Sequence, residues 1–424
     1  MRAFLCVLVV LAVGALPASA QDYAPERAAA LDLRSLCAQD RGRLWGADLC
    51  GPLIVVNPEN RSIWATEQDR QGLLQRHGEG WVGALPIGVT MANTTVDWAG
   101  VRWIMVLGPL PADEVQRRVL VGHEAWHRVQ AELGLAWQAY DGSHLETERG
   151  RTLMRLEMRA LSTAMRSRGA ARRRAAQDAL TLRRTRLTEF PAAGAQEASL
   201  DRNEGLASYT GVRLGAGNGA DMFAARTLDQ YDNHTALARS YAYATGPAYG
   251  LLLDEYRRTW RQELGAFAPA DLLSTAIRAQ LVDSQELRRI EARYGGDAIA
   301  AEERARVQTQ RLRIADLRRR FVDGPRLELP LAQMQMDFDP NQVTPIEGAG
   351  SFYGRITLRD LWGEMTAPEG AMINQTFTRM TAPTPSSDGV SGPGWRLSLA
   401  QGWRTVPADS AGVVRVEPIP PETE

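Results

Sequence analysis

The stretch His-Glu-Ala-Trp-His at residues 123–127 has the pattern H-E-x-x-H and lies within a segment that is predicted to be helical. Residues four positions apart share one face of a helix, so the imidazoles of His123 and His127 can reach the same metal ion. Glu124 is offset by about 100° around the helix axis, which places its carboxylate beside the metal. There it can take a proton from a metal-bound water. The stretch therefore predicts a zinc site with a general base.

The helix that carries this motif has clear boundaries in the sequence. Asp113 is a favourable N-cap, and Gly134 is a typical residue just beyond a helix C-terminus. Before this helix, residues 31–110 alternate short apolar runs with turn residues, a pattern that predicts strands and turns. The last two predicted strands, residues 86–98 and 101–107, are expected to form a hairpin.

Helical patterning dominates after the motif, and near residue 327 it gives way to short alternating runs punctuated by Pro, Gly and Thr. The predicted fold class is therefore α+β. The expected parts of the chain are a signal peptide at 1–20, an N-terminal β-rich part at 21–112, a helical lobe at 113–325 with an arginine-rich helical insertion at 145–190, and a small C-terminal β element at 326–424.

The composition of the 424 residues, 44% hydrophobic and 23% charged, is that of a globular protein. The chain contains no lysine, and all 49 basic residues are arginines. This excludes Schiff-base enzymes and the Walker-type phosphate loop, because both need a lysine. The formal net charge of −1 does not indicate binding to a polyanion, so no nucleic-acid partner is expected.

Many of the arginines fall within residues 145–187, which Gly169 divides into two predicted helices. The first interpretation is that these arginines form solvated helix faces. The alternative is weak contact with an anionic surface, such as the headgroups of envelope lipids.

The first twenty residues have the three regions of a secretory signal. Arg2 is the positive residue, residues 4–16 are apolar, and Ala-Ser-Ala at 18–20 is a small-residue cleavage site before Gln21. The apolar run is too short to cross a bilayer of about 30 Å as a helix. We therefore expect an exported protein, either periplasmic or secreted.

Cleavage at this site removes Cys6 and leaves two cysteines, Cys37 and Cys50. In an oxidising compartment such a pair predicts a disulfide that closes a short loop and is worth about 3 kcal/mol. The alternative is two separate thiols. A zinc site made of cysteines is excluded, because too few cysteines remain.

A catalytic zinc site keeps three protein ligands and one open position, and two glutamates compete to be the third ligand. Glu157 lies within the apolar stripe of its predicted helix, where a carboxylate is costly unless it is paired, hydrogen-bonded or bound to a metal. Its carboxylate could instead accept a hydrogen bond from a histidine or an arginine. Glu204 lies just after Asp201, a candidate N-cap, and could be an ordinary helix-start residue.

The segment Asn-Glu-Gly-Leu-Ala-Ser-Tyr at residues 203–209 resembles the segment that carries the third zinc ligand in gluzincin metallopeptidases of the aminopeptidase N type. Residues 243–253 resemble the segment Y-x-x-G-x-A-x-x-x-x-L of the same family, whose tyrosine stabilises the oxyanion. The resemblance implies a zincin-like catalytic domain in which zinc is bound by His123, His127 and Glu204, the base is Glu124, and the oxyanion donor is Tyr243. An ordinary packing role is the alternative for Tyr243.

The sequence departs from that family at two places. His127 and Glu204 are 77 positions apart, further than is usual in the family, and the helical insertion accounts for the difference. Ala92 stands where the family's G-x-M-E-N strand has the glutamate that holds a substrate's free amine, which leaves exopeptidase and endopeptidase action both open. The strand could still bind an extended peptide at the sheet edge.

The expected function is zinc-dependent hydrolysis of peptide or amide bonds in a peptide or protein substrate. The alternative is a non-catalytic zinc-binding or envelope-associated scaffold with the same fold. His77, His144 and His234 have no motif around them and are assigned no role. The oligomeric state is not predicted.

Overall fold

The structure is a computed structural model, and it describes residues 23–135, 140–265, 267–339 and 342–420. The expected signal peptide lies outside the described residues. Within the described ranges, no helix combines the length and the hydrophobicity that crossing a bilayer requires. The architecture is α+β, and the chain divides into two compact units, residues 1–303 and 304–424.

The first unit contains one six-stranded sheet. Its strands are β1 (Leu53–Val56), β2 (Ser62–Ala65), β3 (Gln75–His77), β4 (Gly80–Ala84), β5 (Thr94–Trp98) and β6 (Val101–Leu107). Their order across the sheet is β3-β4-β2-β1-β6-β5, which makes β5 an edge strand. The pair β1 and β6 is parallel, and the other neighbours are antiparallel.

The predicted hairpin is formed by β5 and β6. Its two-residue turn has positive φ at both positions, 51° at Ala99 and 79° at Gly100, as a type I′ turn requires. Trp98 pairs with Val101 directly across the turn, which fixes the register of the two strands.

The predicted strand at 86–98 is wrong for its first half, because β5 begins at Thr94. Arg61 explains the difference. Its guanidinium donates hydrogen bonds to the backbone carbonyls of Leu85, Pro86 and Val89 at 2.5–2.9 Å. These carbonyls are therefore held in a loop instead of a ladder, and Ala92 lies in this loop and not on the edge strand.

Helix α1 (Ala24–Asp40) occupies part of the region predicted to be strands and turns. A proline in its first turn and a composition of Ala, Leu and Arg favour this helix. Cys37, near its end, is joined to Cys50 in a disulfide with the two Cα atoms 5.6 Å apart.

Within the described ranges, ten further α-helices follow the sheet. They are α2 (Glu114–Gln130), α3 (Glu148–Arg166), α4 (Gly169–Glu189), α5 (Ala193–Leu200), α6 (Leu206–Gly215), α7 (Ala220–Tyr231), α8 (Leu237–Tyr256), α9 (Pro269–Ala276), α10 (Ser284–Arg293) and α11 (Gly296–Arg318). A π-helical turn, Asp201–Gly205, joins α5 to α6. The predicted cap of α2 is present, since the Asp113 carboxylate accepts a hydrogen bond from the backbone N–H of Gln116 at 2.8 Å.

One face of the sheet and the helices share a single core. Val55 and Ile104 of the sheet are buried in the same cluster as Ala125 and Trp126 of α2. The opposite face of the sheet, which includes Trp103, has a smaller core of its own. The parts predicted at 21–112 and 113–325 therefore do not have separate cores in the first unit.

Helices α2 and α6 approach each other backbone to backbone. A Cβ atom on Gly211 would overlap the carbonyl oxygen of Val119, and one on Gly215 would lie 2.7 Å from the Val119 nitrogen. On the α2 side, Gly122 faces Gly211, and its Cβ would lie 3.1 Å from the Gly211 Cα. Because no side chain separates the helices, the turn that precedes α6 lies against the helix that carries the H-E-x-x-H motif.

Five arginines of α3 and α4 are buried and do not form solvated faces. Arg151, Arg155, Arg172, Arg183 and Arg186 are each at most 4% exposed. Each forms ion pairs with carboxylates, and these come from segments distant in sequence, such as α7 and α11. The interpretation as solvated helix faces is therefore wrong for these five, because local composition does not reveal such distant partners.

The second unit begins within α11, whose last part and a π-helical turn at Arg319–Asp323 precede its strands. The strands begin at Arg326, where the β element was expected. The strands are β7 (Arg326–Pro330), β8 (Gln335–Phe338), β9 (Val343–Ile346), β10 (Gly350–Tyr353), β11 (Ile356–Asp360), β12 (Gly363–Ala367), β13 (Ala371–Ile373), β14 (Arg379–Pro383), β15 (Ser391–Gly392), β16 (Trp395–Leu399), β17 (Trp403–Val406) and β18 (Val413–Pro418). One sheet has the order β17-β18-β7-β14-β13-β10-β9, and the other β15-β16-β12-β11-β8. Their shared core includes the fully buried Trp362.

Replacing Gly211 by alanine should lower the free energy of unfolding by about 1–3 kcal/mol, because the new Cβ overlaps the Val119 carbonyl. Gly194→Ala is the matched control, since Gly194 is also helical and has no atom within 4 Å of a Cβ at that position. The control should be neutral or slightly stabilising. Chemical denaturation measures both variants. A Gly211→Ala protein as stable as the wild type would contradict the close packing of α2 on α6.

Candidate metal centre

The structure brings together three of the predicted ligand residues. Helix α2 presents His123 and His127 on one face, and the π-helical turn before α6 presents Glu204. The Glu204 Oε2 atom lies 3.3 Å from His123 Nε2 and 3.7 Å from His127 Nε2, and the two Nε2 atoms are 3.2 Å apart. Neighbouring ligand atoms of a tetrahedral zinc ion lie about 3.3 Å apart when each is about 2.0–2.1 Å from the metal. The three atoms therefore have the spacing of a zinc site.

Two carboxylate oxygens of the site are buried. Glu204 Oε2 faces both imidazoles, and Glu124 Oε2 has no hydrogen-bond partner among the described residues. A buried acceptor in this state is costly unless an ion or a water satisfies it. Two imidazole nitrogens and one carboxylate oxygen form a donor set used by catalytic zinc, so these residues fit that ion.

Glu124 lies beside the ligand cluster. Its Oε1 atom is 3.9 Å from His123 Nε2, and its side chain is buried. This is the position that the motif predicts for a base that acts on a metal-bound water, and not for a further ligand.

The side-chain amides of Gln130 and Asn203 connect His127 to Glu204 through hydrogen bonds. The Gln130 Nε2 group donates to the Leu135 carbonyl at 2.6 Å and to Asn203 Oδ1 at 2.9 Å. Its Oε1 atom therefore faces His127 Nδ1, at 2.9 Å, and accepts a hydrogen bond from it. Asn203 Nδ2 in turn donates to Glu204 Oε1 at 2.8 Å. With its proton on Nδ1, His127 directs the lone pair of Nε2 towards the site.

His123 is held by a different pair of residues. Its Nδ1 atom lies 3.2 Å from Ser208 Oγ on α6, and the ring of Tyr243 on α8 stacks on it with centroids 5.5 Å apart. Sequence reasoning assigned no role to Ser208 or Gln130. Their spacing could have indicated both, because Gln130 is three positions after His127 and Ser208 is four positions after Glu204 on neighbouring helical turns.

The glycines of the two segments that resemble gluzincins touch each other. A Cβ atom on Gly246 would overlap the backbone of Gly205. Gly205 directly follows Glu204, and Gly246 lies one helical turn after Tyr243 on α8. This close approach brings the tyrosine next to the carboxylate.

The charges of the site shift the pKa values of its groups. Burial raises the pKa of Glu124 above its usual value. Burial opposes charge on Glu204, but the imidazoles of His123 and His127 outweigh it and lower the pKa of this carboxyl. Burial likewise opposes charge on His127, but Glu204 and Glu124 outweigh it and raise the pKa of this imidazole. Burial and the nearby Glu204 carboxylate raise the pKa of Tyr243, so this hydroxyl keeps its proton and can donate.

Glu157, the competing candidate, lies in a buried ion-pair cluster and not among the metal-ligating atoms. One of its carboxylate oxygens is 2.6 Å from Arg186 Nη1, and the other accepts a hydrogen bond from the Tyr249 hydroxyl at 2.6 Å. The side chain is fully buried and pairs with an arginine, one of the two partners that the sequence suggested as an alternative to a metal.

The same cluster supports the turn that carries Glu204. Arg183 pairs with Asp201, the first residue of the π-helical turn, at 2.6 Å. Arg186 pairs with Glu197 of α5 at 2.6 Å, and Glu197 also lies 2.8 Å from His144 Nε2. Burial raises the pKa of Asp201 to about 6, against the opposing effect of Arg183. The helices between the two candidate ligand segments thus contribute the groups that anchor this turn.

A cavity of about 610 Å³ opens on the ligand cluster. Its walls come from the edge strand β5 and the start of β6, from α2, and from α7. The wall on the sheet side includes Thr95 and Arg102. A substrate bound here would contact the metal ligands, Glu124 and Tyr243 at once.

Comparison of the chain with protein-family models, curated proteins and solved structures finds no match. The gluzincin resemblance therefore depends on the H-E-x-x-H pattern and two short segments. The arrangement of their side chains is the basis of the functional proposal below.

Glu204→Ala should abolish zinc binding, whereas Glu157→Ala should still bind zinc but lose about 1–3 kcal/mol of stability, because Tyr249 and Arg186 each lose a buried partner while Arg186 keeps Glu197. If the alanine variant does not fold, zinc binding is measured on Glu157→Gln, which keeps the side-chain volume. Metal analysis after equilibration with zinc and denaturation curves measure the two effects. The reverse pattern of zinc loss would mean that α3 provides the third ligand.

Gln130→Leu should weaken zinc affinity by about 10–100-fold, because His127 loses the acceptor that fixes its tautomer. Gln116→Leu, on the same helix and also in the cavity wall, is the control and should bind zinc as the wild type does. Competition with a calibrated zinc chelator gives both affinities. Equal zinc affinities for the two variants would show that the hydrogen bond from His127 to Gln130 does not contribute to metal binding.

Proposed function

We propose that this protein is an exported zinc-dependent metallopeptidase with a zincin-like catalytic domain of the gluzincin type. The observation that supports this most strongly is the convergence of His123, His127 and Glu204 on one point, with Glu124 beside them. The Cys37–Cys50 disulfide supports an oxidising compartment, either periplasmic or extracellular.

A zinc ion held by the two histidines and Glu204 would lower the pKa of a water to about 7 and would polarise a scissile carbonyl. The Glu124 carboxylate would accept a proton from the attacking water and would later deliver it to the leaving amine. Its Oε2 atom is buried without a hydrogen-bond partner among the described residues, so this oxygen is available for the transfer.

Tyr243 donates a hydrogen bond to the oxyanion that forms on the attacked carbonyl. Stacking on His123 and the contact of Gly246 with Gly205 fix its ring next to the metal ligands. A donor fixed in this way costs no reorganisation during the reaction, and loss of such a donor typically lowers the rate about a hundredfold or more.

The edge strand suits an extended peptide. In a hairpin with a two-residue turn, the residues beside the turn exchange both backbone hydrogen bonds, and pairs then alternate along the ladder. Trp98 and Val101 are such a pair, so the backbone groups of Asp97 and Thr95 point away from β6, to the free edge of the sheet. Thr95 also lines the cavity, which supports binding of a peptide as an added strand next to the metal.

The rival function is a non-catalytic zinc-binding or envelope-associated scaffold. A scaffold needs the ligands but has no use for Glu124 and Tyr243, both of which line the cavity. The presence of both residues favours the enzyme. The burial of five arginines in α3 and α4 removes part of the basic surface that contact with envelope lipids would use.

Glu124→Gln should bind zinc normally and lose peptide hydrolysis, because an amide cannot accept the proton of the water. Glu114→Gln, an exposed change on the same helix, is the matched control and should retain full activity. Zinc content and cleavage of a defined mixture of synthetic peptides, followed by mass spectrometry, measure the two properties. Hydrolysis by Glu124→Gln at the wild-type rate would exclude Glu124 as the base.

A further inference from the structure

Arg102 is a cationic side chain in the wall of the metal cavity to which no role has yet been assigned. It lies on β6 next to the hairpin turn, and it is exposed. Among the described residues that form the cavity wall, it is the one arginine. Guanidinium groups bind carboxylates through two parallel hydrogen bonds.

The strand register shows which side of the sheet Arg102 occupies. Arg102 pairs with Asp97, and Ile104 pairs with Thr95, so all four side chains lie on the same face. Ile104 is buried in the core that includes α2, and Thr95 lines the cavity. Arg102 therefore projects from the face of the sheet that packs on the metal-binding helix.

The Arg102 guanidinium has no acidic partner within the described part of the chain. No ion pair or side-chain hydrogen bond joins it to Asp97, its neighbour across the strands, although most buried arginines of this unit form ion pairs. The group is therefore available to a ligand in the cavity.

The net charge of the cavity also favours a ligand that carries a carboxylate. Glu124 and Glu204 are the two carboxylates among the described wall residues, and a bound zinc ion would offset their charge. With neutral imidazoles as ligands, Arg102 then leaves the cavity with one positive charge. A ligand that brings a carboxylate would neutralise it.

We propose that Arg102 binds a carboxylate of the substrate, so that the enzyme prefers peptides with an acidic side chain or a free C-terminus close to the scissile bond. This inference rests on the proposed peptidase function. The carboxylate is the shared chemistry of the two sources, and Arg102 is a specificity residue that does not take part in the proton transfers.

The test uses sets of synthetic peptides that differ in one group. Each peptide is made with Glu or Gln at a given position and with a free or an amidated C-terminus. Wild-type protein is compared with Arg102→Ala and with Arg226→Ala. Arg226 is an exposed arginine of α7 outside the cavity wall, which makes it the matched control.

We expect the wild type to prefer one kind of carboxylate peptide, with Arg102→Ala lowering kcat/KM on these peptides about 10–100-fold, as for loss of a hydrogen bond to a charged group. The neutral peptides should be cleaved equally by Arg102→Ala and the wild type, and Arg226→Ala should match the wild type on all peptides. A preference for Glu over Gln identifies an acidic side chain as the ligand, and a preference for the free C-terminus identifies the terminal carboxylate. An equal loss on charged and neutral peptides, or a wild type without any preference, would overturn the proposal.

A binding measurement separates this inference from the proposed function. The zinc-loaded Glu124→Gln protein, with and without Arg102→Ala, is titrated with fluorescent versions of the same peptides. If the wild type cleaves none of the peptides, the peptidase proposal fails, but a carboxylate preference that Arg102→Ala removes would still support the binding role. Equal affinity for charged and neutral peptides in the Glu124→Gln protein would refute the role of Arg102 by itself.

Discussion

The geometry of the candidate metal centre depends on helices that touch backbone to backbone. Gly211 allows α6 to lie against the Val119 carbonyl of α2, and Gly246 allows α8 to lie against Gly205. The first contact brings Glu204 to the two histidines of α2, and the second brings Tyr243 onto His123. A side chain at either glycine would separate these elements, and an ångström-scale displacement is large on the scale of a zinc–ligand bond. The glycine contacts that pack these helices therefore also position the side chains of the site.

The long segment between α2 and α6 supports the site as well as separating its candidate ligands. Arg183 and Arg186 are buried among Glu157, Glu197 and Asp201, and Asp201 begins the turn that carries Glu204. Each of the two arginines contacts at least two of these carboxylates, so the five side chains hold one another in place. This rigidity benefits a site in which Glu204 must keep its position between two imidazoles.

Local signals predicted the parts of the site that lie within one helix. The cap at Asp113, the spacing of the two histidines and the hairpin turn before them were readable because each depends on residues a few positions apart. Glu204 could be chosen over Glu157 only through a family resemblance, since each is an acidic residue in a helical segment. The late start of β5 and the burial of Arg183 were missed because Arg61 and Asp201, which cause them, are brought near by the fold alone. Arg102 gave no signal in the sequence for a similar reason, because its place in the cavity wall follows from strand register.

The central claim is that one metal ion is bound by two histidines of α2 and by the glutamate of the following π-helical turn. Anomalous diffraction at the zinc absorption edge, from crystals of zinc-loaded protein, tests it most directly. We expect one strong peak in the first unit, about 2.0–2.2 Å from His123 Nε2, His127 Nε2 and Glu204 Oε2. A peak bound by other side chains, or no peak at these three atoms in saturating zinc, would contradict the account.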